Sequence, residues 1–346
     1  MENSAAAGAF HWLNEDGVHV AAIAGICKNA GKTTLLNHLL ARYGNEGWGV
    51  FSTGIDGEET DTVFRTPKPR VNLAAGQFFC CDTTTLESHG AAVAILEKTT
   101  VGTATRQLWL ARTVIPVQTE ITGPGSVTDQ IAVLERMQAL GAKKVLIDGS
   151  LDRKSIALSP AVDAVAILIG ASFGSVAAIA GEIRRLELLN HIPASGKITA
   201  DPEDHWQLLD SEDILILERN GWSQTGISSL LGCEAELKRL LAEKPAALYI
   251  PGALTDAVYA RIRDQLLQAG TRVILRHPDC LKLSLAKLEQ FIRDFSPTAL
   301  IPFKIRTFAL NTQAVGNQNI DAEEFRARLR REFPRLNLPD IRELEL

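Results

Sequence analysis

"VHVAAIAGICKNAGKTTLLNHLL" (residues 18–40) decides the fold class. Val18 to Gly25 is a short apolar run with β-branched residues, which predicts a buried strand. From Lys32, "KTTLLNHLLARYG" places leucines at helical spacing and closes on Gly44, predicting an amphipathic helix. Between the two lies "GICKNAGKTT" (25–34), close to the phosphate-binding pattern G-x-x-x-x-G-K-S/T but one residue longer. A phosphate loop must leave a buried strand and open a helix, so that backbone N–H groups and the helix N-terminus face the anion. The flanking residues meet that requirement.

Each loop residue then has an expected task. Gly25 allows the sharp exit from the strand. Lys28, Asn29, Ala30 and Gly31 offer backbone N–H groups, and Gly31 lets the backbone approach where a side chain would intrude. Lys32 would neutralise the β- and γ-phosphates, Thr33 would offer its hydroxyl to Mg2+, and Thr34 could reach an α-phosphate. Lys28 has two readings, a phosphate or substrate contact and a solvated loop lysine. A loop of this kind needs an acidic Mg2+ partner at the end of a neighbouring strand. "KKVLIDG" (143–149) supplies Asp148, whose plainer reading is an acid that merely ends a strand. The catalytic expectation therefore falls on Lys32 and Asp148, and the metal expectation on Thr33 and Asp148.

Alternating strand and helix patterns continue along the chain. "GVFSTGI" (49–55), "DAVAILIGAS" (163–172), "DILILER" (213–219), "AALYIPG" (246–252), "TRVILRHP" (271–278) and "TALIPF" (298–303) read as strands. Helical patterns cover 126–141, the stretch up to Asn190, 254–269, 284–295 and 322–332. Continuous apolar strands separated by helices predict an α/β fold, a mostly parallel sheet with helices on both faces. The expected organisation is an N-terminal extension (1–17), a nucleotide-binding domain (18–192) and a C-terminal α/β segment (193–346). The soft boundary lies at Pro193, and one continuous sheet is the alternative. No repeat of 20 to 50 residues is evident.

Composition narrows the class. The 346 residues are 46% hydrophobic and 22% charged with a formal net charge of −5, so a general nucleic-acid surface is not expected. Cys27, Cys80, Cys81, Cys233 and Cys280 form no C-x-x-C pair, so they read as reduced thiols rather than a disulfide framework or a zinc ribbon. "MENSAAAGAFHWLNEDG" (1–17) lacks the regions of a signal peptide. The uncharged stretch "AVAILIGASFGSVAAIAG" (164–181) reads better as strand, turn and helix start than as a membrane span. A cytoplasmic, soluble protein is expected. No N/T-K-x-D base-recognition motif occurs, and Asp148 is followed by Gly-Ser-Leu rather than D-x-x-G, which favours ATP over GTP.

Two further loops could hold ligand. "EITGPGSVTDQ" (120–130) could bind an anion at a helix N-terminus or simply cap the helix through Ser126. "DGSLDRKSIA" (148–157) carries Asp152, Arg153 and Lys154, for an acidic ligand or for solvent.

The long loop resembles that of dethiobiotin synthetases and their relatives in the SIMIBI branch of P-loop proteins. Their form G-x-x-x-x-x-G-K-T is matched position for position by "GICKNAGKT". Cys27 stands where partition-type ATPases carry a signature lysine, so that resemblance is weaker. The branch implies an acidic residue after the second strand, close to the metal. In "TGIDGEETD" Asp56 matches it, ahead of Glu58, Glu59 and Asp61. Together "IAGICKNAGKTTLLN", "TGIDGEETDTVFRTPKPRV", "ITGPGS" and "IDGSLDRKS" resemble a P-loop family associated with reactivation of cobalamin-dependent lysine 5,6-aminomutase. The likeness spans roughly residues 18–190 and, more loosely, "NTQAVGNQNIDAEEFRARLRREFP"; "VGTATRQLWLARTV" (101–114) departs from it. It implies an ATPase that remodels a partner enzyme. Alternatives are an ATP-dependent ligase or kinase of dethiobiotin synthetase type, and a nucleotide-regulated binding protein without turnover.

Overall fold

The structure, a computed structural model, describes residues 8–53, 70–102, 106–150, 156–196, 208–313 and 321–344. In chain order it begins with β1 (Val20–Gly25), α1 (Lys32–Tyr43), β2 (Trp48–Ser52), β3 (Val71–Leu73), β4 (Phe78–Asp82), α2 (Thr83–His89), β5 (Val93–Gly102), β6 (Gln107–Thr113) and β7 (Val117–Thr119). It continues through α3 (Val127–Ala139), β8 (Lys144–Ser150), β9 (Ala164–Gly170) and α4 (Val176–Asn190). Then come β10 (Leu215–Glu218), β11 (Gly221–Gln224), α5 (Glu234–Ala242), β12 (Ala247–Ile250), β13 (Leu254–Thr255), α6 (Asp256–Ala269), β14 (Arg272–Leu275), β15 (Leu281–Lys282), α7 (Leu285–Phe295) and β16 (Thr298–Ala299). The chain ends with β17 (Ile305–Asn311) and α8 (Ala322–Glu332).

Two compact units result, one of residues Met1–Ala180 with Lys304–Leu346 and one of Gly181–Phe303. This division differs from the expected boundary at Pro193 and from a C-terminal segment of 193–346. Pro193 belongs inside the second unit, where its carbonyl accepts from Ala299 N at 3.0 Å. Residues 304–346 go back to the first unit because β17 completes its sheet. Nor do residues 8–17 stand apart as an extension. Phe10, Trp12 and Leu13 are buried, Trp12 Nε1 donates to Thr307 Oγ1 at 2.9 Å, and Lys144 Nζ donates to the carbonyls of Leu13, Glu15 and Val18.

The first unit is built on an 8-stranded sheet of order β17-β9-β1-β8-β2-β4-β6-β5. All pairs from β17 to β4 are parallel, and β6 runs antiparallel to both β4 and β5. The expected α/β class and mostly parallel sheet are thus observed, with an antiparallel flank that the strand pattern did not foretell. Strand β1 is buried on both faces, as its unbroken apolar run requires. Helix α1 buries Leu35, Leu36, Leu39 and Leu40, which join Ala21, Ile23, Leu146 and Leu168 in one core. Burying such a leucine stabilises the fold by about 1.5–3 kcal/mol.

The second unit has a 5-stranded sheet of order β11-β10-β12-β14-β16, in which β12, β14 and β16 are parallel. One arrangement occurs in it twice. Strand β12, a turn, β13 and α6 are followed by β14, a turn, β15 and α7. The two copies lie in register through Ala247↔Arg272 and Leu254↔Leu281. No sequence repeat announces this, because different apolar residues fill equivalent places.

His277, on the turn after β14, is buried against the Phe303 ring at 4.5 Å, and its Nδ1 accepts from Asp279 N at 3.0 Å. Burial, with Lys282 adding and Asp279 opposing, drives its pKa from 6.5 to about 4. The folded chain keeps this ring neutral where the unfolded chain takes a proton. Its contribution is therefore whole above pH 6.5 and is lost as pH falls from 6.5 toward about 4. The slope is about 1.4 kcal/mol per pH unit. In His277→Gln the drop in melting temperature between pH 7 and pH 5 should be smaller than in the unaltered protein. Equal drops would show that the ring plays no part.

Candidate functional site

Parallel strands finish on one edge of a sheet, and in open α/β sheets that edge is where ligands collect. Here the edge carries Gly25 from β1, Ser52 from β2, Asp82 from β4, Asp148 from β8, Gly170 from β9 and Asn311 from β17. Strand β1 lies between β8 and β9, with Ile23 opposite Asp148 and Gly25 opposite Leu168. After β1 the chain moves toward β2 on one side, whereas β9 and then β17 add on the opposite side of β1. Strands β1 and β9 thus flank the topological switch point.

The loop between β1 and α1 fits against this edge with little room to spare. Ile26 N donates to Leu168 O at 3.1 Å. A Cβ on Gly25 would meet Ala30 Cβ at 2.9 Å, and one on Gly170 would meet Cys27 Sγ at 2.9 Å. Cys27 is half-buried, with its sulfur 3.5 Å from Ser172 Oγ, so the thiol works as a small filler. Asn29 and Gly31 hold positive φ values of 56° and 94°. Gly31 is the N-cap of α1 and supplies no side-chain cap. The first-turn amides of a helix need an outside partner, and an anion is a natural one.

Beyond the loop, Lys32 is half-buried at the helix start, and Thr34 is exposed. Thr33 Oγ1 donates to Asp148 Oδ2 at 3.3 Å. The helix-start hydroxyl and the strand-end carboxylate, 115 positions apart, are thereby side by side. Of the residues singled out from sequence, Gly25, Ala30, Gly31, Lys32, Thr33 and Asp148 converge, while Lys28 and Asn29 are exposed on the loop's outer turn. Asp56 lies outside the described residues, as do Glu58, Glu59, Asp61, Asp152, Arg153 and Lys154.

Neighbouring groups are already committed elsewhere. Ser126 Oγ accepts from Asp129 N at 3.1 Å, so Ser126 is the plain cap of α3. Asp82 caps α2 through Thr85 N at 2.8 Å and pairs with Arg106 at 2.7 Å. Burial pushes its pKa up, but the Thr85 and Arg106 hydrogen bonds outweigh that and hold it below the ordinary value. Burial pushes the Cys81 thiol up to about 12, and the Cys80 thiol upward as well, so neither is a nucleophile at neutral pH. Among the described residues no group of three His, Cys, Asp or Glu could hold a metal ion. Mg2+ asks for less: one or two protein oxygens alongside phosphate and water.

Two site residues escaped the sequence reading. Asn311 Nδ2 donates to Ala30 O at 3.0 Å, and Ile341 packs against Gly31. "FALN" has the same form as "VLID", an apolar run ending in a polar residue, so Asn311 carried a usable signal. Ile341 carried none. Comparison with family models, characterised proteins and solved structures returned no match. The molecule is an α/β protein with a large, mostly parallel sheet flanked by helices. Among the described residues no helix is long and apolar enough to cross a membrane.

Close packing makes two glycines sensitive. A Cβ on Gly123 would lie 1.9 Å from Ser52 O, a backbone atom that cannot step aside. A Cβ on Gly31 would face both an unfavourable φ and two side chains at 2.6 Å. By urea unfolding, Gly123→Ala should lose about 2 kcal/mol or more, and Gly31→Ala about 1–3 kcal/mol. A wild-type midpoint for either variant would contradict this packing.

Proposed function

We propose that this chain is a Mg2+-dependent ATP-binding and ATP-hydrolysing P-loop protein that couples its nucleotide state to a partner protein. The observation that carries the reading is the 3.3 Å approach of Thr33 Oγ1 to Asp148 Oδ2, beside an αL glycine that opens α1. A hydroxyl and a carboxylate are hard oxygen donors and suit Mg2+. Gly31 holds an αL conformation with Asn311 and Ile341 packed against its Cα, which supports a loop whose backbone is fixed in one conformation to face an anion.

In this reading Thr33 and Asp148 hold the metal, which would neutralise charge on the β- and γ-phosphates. The loop amides and the α1 N-terminus bind the phosphate oxygens. Lys32 supplies a point charge where the γ-phosphoryl group gathers negative charge, so catalysis is positional and electrostatic. The missing N/T-K-x-D and D-x-x-G motifs favour ATP over GTP. The phrase resemblance suggests a cobalamin-dependent aminomutase as the partner, with ATP spent on remodelling it.

Calorimetry with Mg-ATP tests the core of the proposal. Lys32→Ala should weaken binding by about 100-fold or more, since a charge-assisted phosphate contact disappears. Equal affinity in Lys32→Ala and the unaltered chain would sink the nucleotide reading. Asp148→Asn should still bind nucleotide but lose turnover, and full activity in it would remove Asp148 from the metal site. Turnover stimulated by a partner protein supports coupling. Strict dependence on a metabolite would instead favour a ligase or kinase.

A further inference from the structure

The loop's carbonyl side is held by residues far along the chain. Asn311, the last residue of β17, is only 5% exposed. Its Nδ2 donates to Ala30 O at 3.0 Å, and its Oδ1 accepts from Gln313 N at 3.1 Å, so both ends of the amide are committed. In a trans peptide the C=O and the following N–H point to opposite sides. With Ala30 O taken up by Asn311, the Gly31 N–H is turned to the side of the peptide opposite Asn311. Glycine at Gly31 could accept the flipped peptide as readily. Asn311 therefore selects which face of the loop carries a donor.

Behind Asn311 sits the C-terminal segment. Ile341 N donates to Leu310 O at 2.9 Å, and Leu310 N donates to Pro339 O at 2.7 Å, so this segment pairs with β17. The Ile341 side chain reaches the Gly31 Cα, where a Cβ would meet its Cδ1 at 2.6 Å. Between these bonds Asp340 is fully buried and accepts from Thr312 Oγ1 at 2.8 Å, an Arg326 guanidinium N–H at 3.1 Å and Arg342 N at 3.0 Å. Glu343 ties the same segment to Arg326 at 3.0 Å and Arg330 at 2.6 Å on α8. The segment is clamped to β17 and α8, and Ile341 carries it against the loop.

We infer that Asn311 and Ile341 are positioning residues for the glycine loop, and that filling the loop with nucleotide tightens the segment from Leu338 to Glu343. This rests on the nucleotide reading above. An anion on the Gly31 N–H fixes the Ala30–Gly31 peptide in one orientation, which strengthens the Asn311 bond and the Ile341 contact on its far side. Anything that seizes the C-terminal segment acts on the loop in return, because coupling between two sites is reciprocal.

The test compares the unaltered chain with Asn311→Asp, Asn311→Ala and Ile341→Ala in Mg-ATP calorimetry, apo melting and hydrogen exchange. Asn311→Asp keeps the size but faces the Ala30 carbonyl with an acceptor. It should weaken Mg-ATP binding about tenfold or more, and Asn311→Ala about tenfold. Both lower apo melting as well, because each leaves the Ala30 carbonyl without its donor. Exchange across 338–343 is therefore the readout that separates coupling from a merely structural role. Mg-ATP should slow amide exchange across 338–343 in the unaltered chain, and that slowing should vanish in Ile341→Ala. If substitution unfolds a variant, exchange in the unaltered chain decides, and no change across 338–343 overturns the inference. Unimpaired binding in both Asn311 variants overturns it as well. Failure of the unaltered chain to bind Mg-ATP is a different result, which removes the nucleotide reading itself.

Discussion

The pairing of β1 with both β8 and β9 is the constraint on which the site depends. A central strand has no freedom to slide: one residue of slip would turn every side chain of β1 to the opposite face. With Ile23 opposite Asp148 and Gly25 opposite Leu168, the loop leaves the sheet beside the acid and under Gly170. Small and large apolar side chains fill both buried faces of β1, so misregister would bring Ile23 and the alanines against the wrong neighbours and cost the fit of the core on each face. The position of Thr33 against Asp148 is therefore an outcome of core packing. Their own 3.3 Å contact adds little to it.

Close approach also explains the glycine spacing. Gly25, Gly31 and Gly170 lie where a Cβ would strike the loop, Asn311 or Cys27. The added loop residue relative to the common pattern brings no disorder to this packing. Ile26 pairs with β9, and Cys27 rests against Ser172. Polar demand is met locally as well. Asp163 Oδ2 accepts from His19 N and Val20 N, and Lys144 satisfies three carbonyls of the N-terminal segment, so the strands next to the site are pinned at their other ends.

Much of this was legible in the residues. Strands β1, β8 and β9 and helices α1, α3 and α6 fall within a few residues of where apolar periodicity puts them, since each buries a continuous run or a helical stripe. The antiparallel flank of β4, β6 and β5 was not legible. Strand β5 alternates poorly, with bulges between Ile95 and Glu97 and between Lys98 and Gly102, and β4 is a short run of Phe-Phe-Cys-Cys-Asp. Strand β17 was missed for another reason. Its neighbour β9 is distant in sequence, and a one-dimensional pattern records no pairing.

The sequence by itself determined the strand–loop–helix order around "GICKNAGKTT", the α/β class, and the residue types able to meet phosphate and Mg2+. These follow from local properties: apolar period, glycine's conformational range, and the fixed offsets within one turn of loop and helix. Only the tertiary structure decided that Asp148 lies beside Thr33, that residues 304–346 rejoin the first sheet, and that Asn311 and Ile341 stand behind the loop. Those facts depend on which strands become neighbours. That choice is made by the summed burial of the whole core and leaves no mark on any single stretch of chain.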